Sequence, residues 1–182
     1  MDKISAVDIK ELRYITKESE KMISEAVTAS SLKALLKDAS CKKVPNVHQD
    51  TWSIEEAEST QDSYKDQLTG LTYRKGAKTM GDVTFNFTIG RYDYKLKAEF
   101  MGGTGNDASW ERERESTDIE MSLIALTEDD QYCVLPRASI SAREANTDGA
   151  TGIAIVATMV LPDSDSVAPE YWFDKSAVES AS

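Results

Sequence analysis

Val83-Thr84-Phe85-Asn86-Phe87-Thr88-Ile89 decides the fold class. Valine, phenylalanine, phenylalanine and isoleucine occupy every second position, with threonine and asparagine between them. Successive side chains of a strand point to opposite faces, so this run has one dry face and one wet one. It reads as a half-buried antiparallel strand. Directly after it the period changes. Tyr92, Leu96 and Phe100 recur at helical spacing, and Gly102 stands where a helix over Tyr92–Met101 would be capped.

Downstream, strand signals dominate. Ser109–Ser116 alternates Trp110, Arg112 and Arg114 with Glu111, Glu113 and Glu115, and Asp118–Leu126 runs into the turn Thr127-Glu128-Asp129-Asp130. Gln131–Arg143 and Ala150–Leu161 flank Asn146-Thr147-Asp148-Gly149. The Asp148-Gly149 pair predicts a β-hairpin, since both residues tolerate the left-handed conformation of a tight turn. Its strands exceed the usual five or six residues, so the hairpin is expected to project beyond its domain. Tyr171-Trp172-Phe173 forms an aromatic clamp near the end.

Upstream, residues 1–43 read as a helical arm. Asp8-x-x-Glu11 resembles a capping box, and Leu12, Ile15, Ser19, Met22, Ile23 and Ala26 fall on one stripe opposite a mixed-charge face. Thr28-Ala29-Ser30-Ser31 offers a stop and a new cap, followed by a short helix with Leu32, Leu35, Leu36 and Ala39 inward. Residues 44–70 read as an acidic connector, 44–173 as the β domain that contains it, and 174–182 as a flexible tail. The class is therefore α+β, mainly β.

Composition narrows the function. Of 182 residues, 40% are hydrophobic and 29% charged, which suits one folded domain with an added element. The longest apolar stretch, Gly152–Leu161, is strand-sized and far short of the ~20 residues of a membrane span. Met1-Asp2-Lys3-Ile4 opens into charge without an apolar signal region, so a soluble protein used in a cytoplasm or released by lysis is expected. Net charge is −11, concentrated at Gln49–Asp66 and Pro162–Ser182. That balance argues against sequence-specific nucleic-acid binding, which needs lysine and arginine to neutralise phosphates.

Catalytic groups are sparse. His48 is the single histidine and no nucleophile motif accompanies it, so it reads as an ordinary loop residue. Cys41 and Cys133 lack further ligands at zinc spacing and are expected to be reduced thiols, Cys133 inside a strand. Glu55, Glu56 and Glu58 lack the glycine and alternating oxygens of a calcium loop and read as a solvated face. Gly102-Gly103-Thr104-Gly105 follows a helix instead of opening one and cannot cradle phosphate. No cofactor or metal is expected, and no enzyme.

Self-association is the remaining class. A strand with arginines on one face and glutamates on the other is either a charge-protected edge or a strand that meets a second subunit. Ile153, Ile155, Ala157 and Met159 alternate with Ala154, Val156 and Thr158, so that strand needs cover on both faces. Trp110, Glu111, Arg112, Glu113, Arg114, Ile153 and Ile155 are thus candidate interface residues, with Asn146, Asp148 and Gly149 forming the hairpin turn.

Val44-Pro45-Asn46-Val47, Asp50-Thr51-Trp52, Tyr64–Gly70, Val83–Tyr94, Met101–Thr104 and Ala145–Ala150 resemble tail proteins from phages and prophages of Bacteroides-type gut bacteria. The resemblance spans about Val44–Phe173. It implies the tail-tube fold: a β-sandwich or small barrel with a flanking helix and a long late hairpin. It also implies subunits in stacked, usually hexameric rings, assembled in the host cytoplasm into the virion tail. Partners would be copies of the chain and other tail or neck proteins, with no membrane. DNA would pass through without specific binding. A negative or small-polar lumen would let it slide, with Arg137 and Arg143 paired to acids or facing elsewhere. Two alternatives stand: the tube of a secretion or contractile injection system, and a monomeric β-barrel module holding a ligand in an aromatic cup.

Overall fold

The computed structural model describes residues 4–181. The chain runs β1 (Ile9–Thr16), α1 (Ala29–Lys37), β2 (Lys42–Lys43), β3 (Ser53–Glu56), β4 (Thr60–Lys65), β5 (Thr72–Thr79) and β6 (Val83–Ile89). It continues through α2 (Tyr94–Met101), β7 (Thr104–Gly105), β8 (Trp110–Glu111), β9 (Ile119–Thr127), β10 (Gln131–Thr147), β11 (Ala150–Met159), β12 (Tyr171–Asp174) and α3 (Lys175–Ser180). It is mainly β. One antiparallel sheet has the order β2-β1-β9-β10-β11-β6-β3, with β12 also paired to β10.

The expected strand over Val83–Ile89 is present, with Val83, Phe85, Phe87 and Ile89 buried. So is the helix after it. Asp93 caps α2 by accepting the Leu96 N–H at 2.7 Å, and Gly102 closes it at φ 73°. Phe100 on α2 is fully buried, with ring centroids 4.9 Å from Tyr14 of β1 and 6.3 Å from Phe87 of β6. Those strands are four steps apart in the sheet, about 19 Å if it were flat. One ring can touch both only because the sheet curls around α2.

β10 makes the curl possible. Its register with β9 shifts between Leu135 and Ala138, at Pro136-Arg137. Before the shift Cys133 and Leu135 face the main core; after it Ala138 and Ile140 do. An extra residue in one strand reverses which positions point inward and bends the strand. The Pro136 carbonyl, displaced from the ladder, accepts the Ser122 hydroxyl at 2.6 Å inside the protein. The first half of β10 pairs with β12, the second half with β11, on the same edge.

A second core lies on the other face of β1, β9 and the first half of β10. Ile15, Ile124, Leu126 and Val134 pack there under α1 and α3, with Leu32 and Val178 from the helices. α1 follows the cap expected at Thr28, whose hydroxyl accepts the Ser31 N–H.

Three readings change. Ile9–Thr16 is a strand, not a helix: Leu12 and Tyr14 face one core and Ile15 the other, so apolar residues on both faces hide the period of two. Residues 1–43 are therefore not a helical arm; β1 sits inside the sheet, and Asp8, at φ 37°, holds the Ile9 N–H instead of capping a helix. The start of that arm, Met1–Lys3, lies outside the described residues. Lys175–Ser180 is a helix with Val178 buried, capped by Asp174 at 2.8 Å from the Ser176 N–H, and not a frayed tail.

Because Phe100 bridges β1 and β6, Phe100→Ala should cost about 3–5 kcal/mol through lost burial and the cavity left behind. Urea unfolding with an unchanged slope and a lower midpoint would show it.

Candidate functional site

The second half of the sheet has a bare face. Arg143, Ala154 and Thr88 form one cross-strand row; Ser141, Val156, Asn86 and Ser53 form the next; Ser139, Thr158, Thr84 and Glu55 form the third. Every side chain here is small or polar except Val156, which is 41% exposed. α1 and α3 cover the first half and α2 fills the inside, so these rows are left to solvent apart from Thr88, which is buried. The opposite face of the same strands carries Ile153, Ile155 and Ala157, all buried. Cover on both faces of β11 is therefore not needed, and Ile153 and Ile155 are core residues instead of interface residues.

This half also ends in open backbone. β3 has a strand neighbour on one side only. β10 pairs with β9 as far as Ile140, so Ser141–Thr147 has β11 on one side and no strand on the other. Asp148 and Gly149, at φ 51° and 91°, turn the hairpin as Asp-Gly predicts. The hairpin does not project as a free arm, because β6 pairs β11 from Ile153 to Thr158. Its tip is held: His48 Nε2 lies 3.2 Å from the Asp148 carboxylate.

The charged strand expected over Ser109–Ser116 shrinks to Trp110–Glu111, paired with Thr104–Gly105. Alternating charge supplies no dry face, so nothing draws Arg112–Ser116 into a sheet. Trp110 instead donates its indole N–H to the Gly102 carbonyl at 2.9 Å. Its ring receives the buried Lys97 ammonium at 4.1 Å, and Lys97 also binds Glu144 at 2.5 Å. Arg112 reaches Glu144 at 3.5 Å. Trp110 and Arg112 thus tie α2 to the second half of β10 within the subunit. Glu113 accepts a hydrogen bond from Thr117, and Glu111 and Arg114 are exposed.

Arg137 is paired, to Glu120 at 2.9 Å and Asp163 at 2.5 Å. Arg143 makes no ion pair among the described residues. Cys133 is deeply buried beside Glu170, and burial pushes its thiol well above the ordinary range; Cys41 is buried too. Among the described residues no cluster of three or more His, Cys, Asp or Glu could hold a metal, and no helix is long and apolar enough to cross a membrane.

The feature missed in the sequence is an arm. Most of the acidic connector beyond Trp52 becomes β3 and then the hairpin β4–β5, which pairs with no third strand among the described residues. The chain enters and leaves the arm where Ala57 and Gly81 cross: a Cβ on Gly81 would lie 1.8 Å from the Ala57 carbonyl oxygen, so only glycine fits. Tyr64, Leu68, Leu71 and Tyr73 stand in water, Leu68 at 93% exposure. The signal was Thr69-Gly70, a turn flanked by strand-forming Tyr64, Thr72 and Tyr73, with Gly70 at φ 70°. The run of acids around it obscured that signal.

Trp52 and Trp172 share a cleft of ≈ 860 Å³ with Ile9, Ile54, Asp8 and Asp50. It opens where β1 and β3 approach each other beside β12. Trp52 forms its floor, its ring 5.2 Å from Phe85.

The sequence matches no protein-family model and no curated protein.

Two outcomes follow from these contacts. Hydrogen bonds from Arg137 and Lys17 hold Glu120 below its ordinary pKa of 4.5, and Lys97 does the same for Glu144. A carboxylate whose folded pKa is depressed stabilises the fold above its unfolded pKa, and that contribution is lost as pH falls through the lower folded value. The melting temperature should hold from about pH 7 to 5 and fall below that, with a shallower acid fall in Glu120→Gln. Excision of residues 58–80 with a short Gly-Ser bridge should shift the melting temperature of the body by no more than about 2 °C, since the arm adds no strand to its sheet.

Proposed function

We propose that this protein is a structural subunit that binds copies of itself edge to edge into a ring, and that the rings stack into the tail tube of a phage. The single observation that carries the reading is the bare, small-polar face of β10, β11, β6 and β3, which ends in open backbone at β3 and at Ser141–Thr147. An open, flat sheet edge is an aggregation hazard in a monomer, and closing a ring removes it by pairing each edge with the next copy.

The chemistry of that face suits a channel for a polyanion. Serine, threonine, alanine and asparagine offer no fixed cations, Glu55 adds a negative charge, and Arg143 is the one basic group in the three rows. Arg137, the other arginine of the hairpin, is neutralised by Glu120 and Asp163. Phosphate binding draws on lysine and arginine contacts, so such a wall holds DNA weakly and lets it move. A curled antiparallel sheet, a helix against its inner face and a long late hairpin also accord with the tail-tube resemblance. The same arrangement serves a secretion or injection tube, which differs in its cargo.

One observation favours a second reading, a monomeric ligand-binding module: Trp52 and Trp172 line one cleft with Asp8 and Asp50. That reading leaves the bare face and the open edges without a purpose.

Concentrated full-length protein should form rings or short tubes in negative-stain micrographs and sediment as a defined oligomer. In a reconstruction, Ser139, Ser141 and Arg143 should line the lumen. Strict monomers at every concentration, or a lumen lined by other residues, would overturn the proposal.

A further inference from the structure

We infer that the β4–β5 arm of one copy seats its apolar end in the cleft between β1 and β3 of a second copy. The inference rests on the self-assembly reading above and names a contact within it.

The arm needs a partner. A two-stranded hairpin is marginal in water, because one pair of strands buries too little surface. This one has two paired strands and no third, yet exposes Tyr64, Leu68, Leu71 and Tyr73 on and beside its turn. A cluster of that size on a projecting element marks a binding surface.

Charge selects the occupant. Lys65, Arg74, Lys75 and Lys78 against Asp62 and Asp66 give the arm a net charge of +2, in a chain whose total is −11. A basic arm on an acidic body is repelled by few surfaces of a second copy and attracted by most. One such surface is the cleft between β1 and β3, which sets carboxylates beside aromatic and aliphatic side chains. Ile9, Ile54, Trp52 and Trp172 supply its apolar walls, and Asp8 and Asp50 stand at it without an ion pair among the described residues. Among the described residues neither aspartate has a cation within 4 Å, whereas Asp130 and Asp163 do. Complementary potentials of this kind fix partner and register.

The arm's own cleft is not its seat. No residue of Thr60–Thr79 lines it. The eight residues of β5 extend about 26 Å, which is enough to reach past the edge of one subunit.

Leu71→Cys on the arm and Gln49→Cys at the cleft, made as separate variants and mixed, test the contact. The native thiols are buried and stay out of the reaction. Oxidation should link the two variants across copies, well above a control pairing Leu71→Cys with Ser164→Cys. Lys75→Glu with Lys78→Glu should weaken association at least ~tenfold at low salt, an effect that fades as salt screens it. Oligomers that form without the cross-link would overturn the arm-to-cleft contact and leave ring assembly standing. A link that forms only inside a doubly substituted chain would also overturn it. No oligomer at any concentration would remove both.

Discussion

β10 belongs to two layers, and the two residues Pro136-Arg137 are what allow it. A strand's side chains alternate strictly, so a long strand that stayed in register would carry one dry face from end to end. Here the inserted residue reverses the alternation between Leu135 and Ala138. The first half is then buried on both faces, between α2's core and the core under α1 and α3. The second half is buried on one face only. A proline inside a sheet is tolerated where the ladder is already broken. The cost of that break is contained, since Ser122 takes up the Pro136 carbonyl and the Arg137 carbonyl accepts the Val160 N–H at 3.0 Å.

The bend then sets what each face can do. Helices close over the first half and leave the second half bare, so the protein has a packed side and an open side. Phe100 fixes how far the sheet curls, because one ring must reach β1 and β6 together. Lys97 holds the far end of β10 through Glu144, at 8% exposure and under the Trp110 ring. A buried cation needs both a counter-charge and an excluded route for water, and Glu144 and Trp110 supply one each. The open edge at Ser141–Thr147 is therefore presented by a rigid support and not by a loose loop.

The legible parts of the sequence were those where one physical signal acted alone. Val83–Ile89 shows period two because only one face of β6 is dry, and Tyr92–Met101 shows helical spacing because α2 buries one stripe. Asp148-Gly149 announces its turn through backbone freedom, which no tertiary contact overrides. The misread segments are those where two signals coincided. Ile9–Thr16 is buried on both faces, so its apolar residues matched a helical stripe as well as a strand. Arg112–Glu115 alternates perfectly and forms no strand, because alternation matters only when one set of residues leaves water. The arm was hidden by its setting: the acids of Gln49–Asp66 suggested a solvated linker, and a hairpin without a core has little periodicity to show. The candidate face itself was legible only in part. Ser139, Ser141 and Arg143 stand at every second position of the sequence, but the parity change at Pro136 could not be read before the register was known.

An arm, a cleft and two open edges on one chain are costly features for a monomer. Exposed leucines and tyrosines invite non-specific contact, and unpaired strands invite fibres. Selection against such hazards ordinarily shortens the hairpin or charges the edge. Here the arm is basic and the body acidic, so copies attract in some orientations and repel in others. Repulsion between acidic bodies disfavours random stacking, while the arm and the edges remain attractive at particular places. An assembly built this way gains its order from what the like-charged surfaces forbid as much as from what the contacts supply. Under the proposed self-assembly, the net charge of −11, which at the level of composition only argued against binding nucleic acid, has a second role. In the proposed assembly it would disfavour association anywhere except where the arm and the edges direct it.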